Sequence, residues 1–259
     1  TNDPAMIFGY DATLDSEWVK NKELGSTYLG IANTFFYKDP PNAQIRSVQG
    51  SGFIKKGTNY IISARHILVE PMMDFLSHYN EQFRVNKNGV LEGVRYNYEF
   101  RVVLRTATSV LEYPIEIAAM GPMNTHLDVI IFKPSGGRIP VEGLELNENA
   151  RISDKVYVSG STSYQTHYHS TNGQVAWVNL GQIKYNFENT ILQVLENQTI
   201  ASIGLKRLYL LTGGSYFGFS GGPVLNTNGQ VVGILNEGNP YFLYSVSSRD
   251  IKALIDSIK

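Results

Sequence analysis

The chain has 259 residues, 42% of them hydrophobic, and a formal net charge of −1, enough for one large or two small packed domains. The near-neutral balance, with no dense basic run, gives no electrostatic case for nucleic acid or an anionic membrane surface. The chain has no cysteine, which excludes a disulfide framework, a thiolate metal site and a cysteine nucleophile, and no apolar stretch approaches the ~18 residues of a membrane span.

Residues 1–25 read as an N-terminal arm. Thr13-Leu14-Asp15-Ser16-Glu17-Trp18 has the Ser or Asp followed by Glu of a helix start, and Trp18 is expected to anchor the arm. From Ser26 the pattern turns β. Thr27–Tyr37 is rich in β-branched and aromatic residues, and Asp39-Pro40-Pro41-Asn42 stops it. Ser47–Ile54 and Asn59–Ser63 predict a hairpin around Lys55-Lys56-Gly57. His66 follows on one helical turn. Pro71–Asn80, with His78, reads as a loop. Phe83–Val85, Val94–Arg105, Ile115–Met120 and Asp128–Phe132 complete a first set of about six strands. Pro134-Ser135-Gly136-Gly137-Arg138-Ile139-Pro140 is the best linker in the chain.

The second half repeats the pattern. Strands are expected at Lys155–Val158, Gln165–Val178 (broken at Asn172-Gly173), Gly181–Phe187, Thr190–Leu195, Leu208–Thr212, on both sides of Asn228-Gly229, and at Phe242–Val246. Asn228-Gly229 reads as a two-residue hairpin turn. Ser248-Arg249-Asp250-Ile251 opens a short helix with Ile251, Leu254, Ile255 and Ile258 on one face. The fold class is therefore all-β. Two barrels, residues 26–140 and 141–247, flank a cleft, and residues 248–259 form a terminal helix.

The chemistry centres on Gly218-Phe219-Ser220-Gly221-Gly222-Pro223. Three glycines in five residues suit a tight backbone turn that exposes a serine. The same residues fit the G-x-S-x-G elbow of α/β-hydrolases, but that fold places its histidine after the serine. The five histidines, His66, His78, His126, His167 and His169, all precede Ser220. The order is then His, Asp, Ser. His66 ends a β-rich run in a small-residue turn. Asp128 stands at the mouth of the apolar run Val129-Ile130-Ile131-Phe132, where burial demands a partner such as a histidine N–H. His126 reads as a surface neighbour. His167 and His169 share a strand face but lack a third metal ligand.

These segments resemble the motifs of trypsin-like, chymotrypsin-fold serine peptidases. Ser63-Ala64-Arg65-His66 is similar to their histidine motif, Leu127-Asp128-Val129-Ile130 to their aspartate motif, and Gly218–Pro223 to their serine motif. Gly50-Ser51-Gly52-Phe53-Ile54 and Gly229-Gln230-Val231-Val232-Gly233-Ile234 look closest to the bacterial HtrA-type branch. About 39 residues follow Ser220, so no PDZ module is expected. The resemblance covers about residues 50–258 and implies two Greek-key six-stranded barrels. It implies a peptide-hydrolysing triad acting through an acyl-enzyme: Ser220 as nucleophile, His66 as base and Asp128 as its orienter. It also implies an oxyanion hole from the backbone N–H groups of Gly218 and Ser220. Substrate would meet Gly214 and Ser215 at the primary pocket, and Asn236, Glu237 and Gly238 as an added strand. The expected partner is a protein or peptide substrate, with no metal or organic cofactor. Where activatable trypsins carry Asp and the HtrA-type motif carries Asn, this chain has Phe219, so the N-terminal ion-pair switch is unavailable. The rival expectation is a silent or latent trypsin-fold binding module, its cleft closed by the arm or by Phe219. A serine esterase on the same fold is a further rival.

Overall fold

The structure, a computed structural model, describes residues 29–37, 44–67, 84–85, 91–92, 96–105, 110–122, 125–140, 143–169, 175–196, 207–212, 219–238 and 242–258. The expected arm, the loop with His78, and Gly214, Ser215 and Gly218 lie outside the described residues.

The first half contributes β1 (Leu29–Tyr37), β2 (Gln44–Ile54), β3 (Ile61–Ser63), β6 (Tyr96–Arg105), β7 (Val110–Met120) and β8 (Ile130–Pro134) to a closed barrel in the order β1-β2-β3-β8-β7-β6. Short strands β4 (Arg84–Val85) and β5 (Leu91–Glu92) pair only with each other. The second half supplies β9 (Lys155–His169), β10 (Val175–Glu196), β11 (Arg207–Leu211), β12 (Pro223–Leu225), β13 (Val231–Gly238) and β14 (Leu243–Ser247). They close in the order β10-β11-β14-β13-β12-β9. All the ladders are antiparallel. Numbered within its own barrel, each set of six follows the same circuit, first-second-third-sixth-fifth-fourth. The fourth strand thus returns beside the first, as in a Greek key. The all-β double barrel expected from the sequence is the observed fold.

Two local expectations need correction. The sequence pattern interrupts residues 155–195 after Val158, Val178 and Phe187 as well as at Asn172-Gly173, whereas β9 and β10 form one continuous ladder from Lys155↔Thr190 to His169↔Val175. Gly181 does not end the strand. It accompanies a register shift between Asn179 and Gly181, because an extra residue is absorbed as a bulge while the flanking ladder bonds continue. The loop between β12 and β13 is also wider than a two-residue turn. Asn226 N donates to Gln230 O (2.9 Å), and Gly229 N donates to Asn226 O (3.0 Å). The Asn226 side-chain oxygen accepts from the N–H groups of Asn228 and Gln230, both at 2.9 Å. This Asx-type capping holds the wider loop, and Gly229 takes the left-handed φ of 74° at its end.

The apolar faces of the strands meet in two clusters. One fills the second barrel and includes Val158, Ile191, Tyr209, Leu211, Phe219 and Val232. The other joins the halves: Phe53, Ile62, Val129 and Ile131 pack with Leu225, Ile234 and Val246, and with Ile251 and Ile255 of the C-terminal helix (Ser248–Asp256). Leu254 and Ile258 pack against it, so the four-residue face expected for the helix is buried or half-buried. Its first turn is capped by Ser247, whose side chain accepts from Asp250 N. Each fully buried Ile or Phe contributes about 1.5–3 kcal/mol, so this shared cluster keeps the two barrels in register. Among the described residues no helix is long and apolar enough to cross a membrane.

Candidate active site

Strand pairing brings residues 66 and 128 together. β3 and β8 are antiparallel neighbours with Ser63 opposite Ile130. The chain leaving β3 and the chain entering β8 therefore emerge at the same end of the barrel. His66 lies three residues past Ser63 and Asp128 two residues before Ile130. Both carboxylate oxygens of Asp128 are engaged by one residue: His66 N donates to Oδ1 (2.8 Å), and His66 Nδ1 lies 2.6 Å from Oδ2. Burial works to raise the Asp128 carboxyl. The hydrogen bond and charge of His66, with Asn236 and the His66 backbone N–H, outweigh it and hold the carboxyl below its ordinary value. An ionised carboxylate only accepts, so Nδ1 is the ring nitrogen that carries a proton toward Asp128, and Nε2 is the one left facing away from it.

Asn236, on β13 of the second barrel, completes the pair from the other side. Its Nδ2 donates to the backbone oxygen of Asp128 (2.7 Å) and to Oδ2 (3.1 Å). Its Oδ1 accepts from Val246 N (2.8 Å), which determines which end of the amide faces the carboxylate. Asn236 is only 5% exposed. The sequence motif places its backbone in a strand that pairs with substrate; its side chain is committed to Asp128 and Val246. No local signal in the sequence separates those roles, because the partner is 108 residues away.

Ser220 sits on a tight turn, with Gly222 N donating to Phe219 O (2.8 Å). Gly221 has φ of 84°, the value taken by the third residue of a type II turn. This turn is bonded to both barrels. Gly221 N donates to Leu235 O (2.7 Å) and Leu235 N to Gly222 O (2.9 Å), while Ser51 N, on β2, donates across the seam to Ser220 O (2.9 Å). A Cβ on Gly221 would come within 2.2 Å of Ser63 Oγ, 2.4 Å of Ser51 O and 2.6 Å of Ala64 N. The glycine lets the serine turn press directly against the strand end that leads to His66. The Ser220 hydroxyl is half-buried and donates to Asn236 O at 3.5 Å.

Phe219 does not lie across the cleft. It is fully buried in the second barrel's core, where a Cβ on Gly160 would stand 2.9 Å from its ring. A large apolar side chain beside Ser220 is driven inward by burial, which removes it as the lid of a closed cleft. Glu237 and Gly238 are exposed at the end of β13, and His126 is exposed two residues before Asp128. His167 and His169 lie on β9 opposite Trp177 and Val175.

The family model of the trypsin-like peptidase domain matches residues 50–234. Among solved structures, the Rv3671c protease in its inactive form superposes with a TM-score of 0.53 at 14% identity, over 99% of this chain and 96% of that one. The active form of the same M. tuberculosis protease gives 0.54 at 13% identity, over 99% and 87% of the two chains. Deg5 gives 0.54 at 14% identity, over 88% and 87%. At such identities the likeness concerns the fold. No curated protein matches the sequence.

Proposed function

The chain belongs to the trypsin-like peptidase domain family, and from that premise we propose that it is a serine endopeptidase working through Ser220, His66 and Asp128. The observation that carries the proposal is the double engagement of Asp128 by His66, at 2.8 and 2.6 Å, beside a serine turn bonded to the same barrel by Ser51.

In this reading the Ser220 hydroxyl leaves Asn236 O and attacks the substrate carbonyl while His66 Nε2 takes its proton. Hydrogen bonds of this kind are often long in the unliganded state and tighten with substrate. Asp128 keeps the Nδ1 tautomer and stabilises the imidazolium, and His66 then protonates the leaving amine. The Ser220 backbone N–H serves the developing oxyanion, and that of Gly218 is assigned beside it on the motif alone. Water attacks the resulting acyl-enzyme with His66 again as base. The two barrels divide the labour: residues 26–140 carry base and acid, residues 141–247 the nucleophile.

Substrate binding follows from the pairing of β13. Through Glu237 and Gly238 it is bonded to β14 on one side. On its other side β12 pairs no further along than Ile234. Among the described residues that leaves the edge from Asn236 to Gly238 open for an extended peptide. The exposed carboxylate of Glu237 favours a basic substrate side chain there, and Gly214 and Ser215, which carry no charge, are assigned to the primary pocket on the motif alone.

Fluorophosphonate labelling with mass mapping tests the proposal. The label is expected on Ser220, and Ser220→Ala is expected to lower kcat by about 10⁴- to 10⁶-fold with unchanged thermal stability. Wild-type turnover in Ser220→Ala overturns it. A profile over peptide and ester libraries separates endopeptidase from esterase.

A further inference from the structure

A buried cation sits next in sequence to His66. Arg65 is only 9% exposed. Its guanidinium donates to four backbone carbonyls: Gly121 (3.1 Å), Pro122, Thr125 (2.9 Å) and Leu127 (3.4 Å). Burial works against its charge, and the nearby negative Asp128 partly offsets that. A charge removed from water persists only when its donors are satisfied, and here backbone oxygens satisfy them.

All four oxygens belong to one segment, the connection from β7 to β8 that delivers Asp128. The segment is also bonded to itself. Thr125 Oγ1 donates to Pro122 O (2.7 Å) and accepts from Leu127 N (3.3 Å). Gly121 N donates to Val129 O and Val129 N to Leu127 O, both at 2.8 Å. Residue 65 therefore grips the connection while residue 66 grips the carboxylate at its end. A planar fork of five N–H donors reaches several separate acceptors at once, and an ammonium, with three donors on one point, reaches fewer. Arginine at this position thus has a chemical reason that alanine or lysine does not meet.

We infer that Arg65 is a positioning residue, whose clamp on the carbonyls of Gly121, Pro122, Thr125 and Leu127 determines where the Asp128 carboxylate meets the His66 ring. Its importance for turnover rests on the endopeptidase reading above; its effect on the Asp128–His66 bond does not.

The test compares Arg65→Met and Arg65→Lys in the full chain, with two readouts. One is steady-state kinetics. The other is the far-downfield proton resonance of the His66 Nδ1–Asp128 bond, which a merely structural staple leaves unchanged in the folded protein. Misplacing a reacting group by about 1 Å costs on the order of 100-fold. Arg65→Met is therefore expected to lose about 100-fold in kcat with KM held, and to lose the resonance. Arg65→Lys recovers part of both. A folded Arg65→Met with the wild-type resonance overturns the inference, whatever its stability. If Arg65→Met does not fold, Arg65→Lys decides, since its ammonium reaches fewer of the four carbonyls. A weakened resonance then supports the clamp and a wild-type one overturns it. If wild-type Ser220 takes no fluorophosphonate label, the endopeptidase reading fails. The resonance in Arg65→Met then decides the clamp by itself.

Discussion

Gly221→Ala and Gly229→Ala form a matched pair that tests the seam between the barrels. Both glycines have left-handed φ, 84° and 74°, so an alanine at either pays the same backbone penalty, about 1–2 kcal/mol. Their surroundings differ. A Cβ at 229 meets nothing within 4 Å, whereas at 221 it meets Ser63 Oγ at 2.2 Å, Ser51 O at 2.4 Å and Ala64 N at 2.6 Å. Ordinary contacts begin at 3.4 Å, so the seam must open by about 1 Å or the serine turn must retreat. Overpacking of this kind costs a further 1–3 kcal/mol or so. Gly221→Ala is expected to lose about 2–5 kcal/mol of stability, and Gly229→Ala only the backbone part. Displacing Ser220 from His66 by about 1 Å should also lower kcat by about 100-fold, while Gly229→Ala keeps wild-type kcat. Urea unfolding and active-site-titrated kinetics measure the two effects. Equal stability losses and equal activity in the two variants would refute the close approach of the serine turn to the strand end at residues 63–64.

Other perturbations reach different parts of the site. Asp128 is held below its ordinary value, so near pH 4 the folded protein binds fewer protons than the unfolded chain. Its contribution to stability is complete above the unfolded value of about 3.9 and disappears as the pH falls through the lower folded value. Asp128→Asn lacks that contribution, so the stability gap between wild type and variant should narrow with acidification in urea titrations. A constant gap would mean that the carboxylate gains nothing from His66 and Asn236. Phe219→Ala empties a fully buried site in the second barrel and should cost about 3–5 kcal/mol, read from the midpoint of thermal unfolding. Little loss would place Phe219 outside the core.

Much of this protein was legible one segment at a time. Alternating apolar residues and their turn breakers announce an all-β chain, since period-two burial is a property of each strand alone. His66, Asp128 and Ser220 stand out because each is embedded in a local motif whose neighbours constrain its backbone. Local reading failed where two segments share one ladder, as in β9 and β10, because pairing carries a strand through residues that would end it alone. It left Phe219 open between ordinary packing and the rival reading of a lid. The barrel closing around it, with burial of its ring, draws it inside.

The residues that organise the site were legible only in three dimensions. Asn236 reaches Asp128 across 108 positions, and Arg65 reaches its carbonyls across 56 to 62. Hydrogen bonds are directional and short-ranged, so the choice among a chain's many donors and acceptors waits for the fold that brings them near. The kinds of chemical group available, and the turns that expose them, were properties of the sequence. Which buried amide holds the carboxylate, and which cation holds the segment that carries it, was decided by the packing of one barrel against the other.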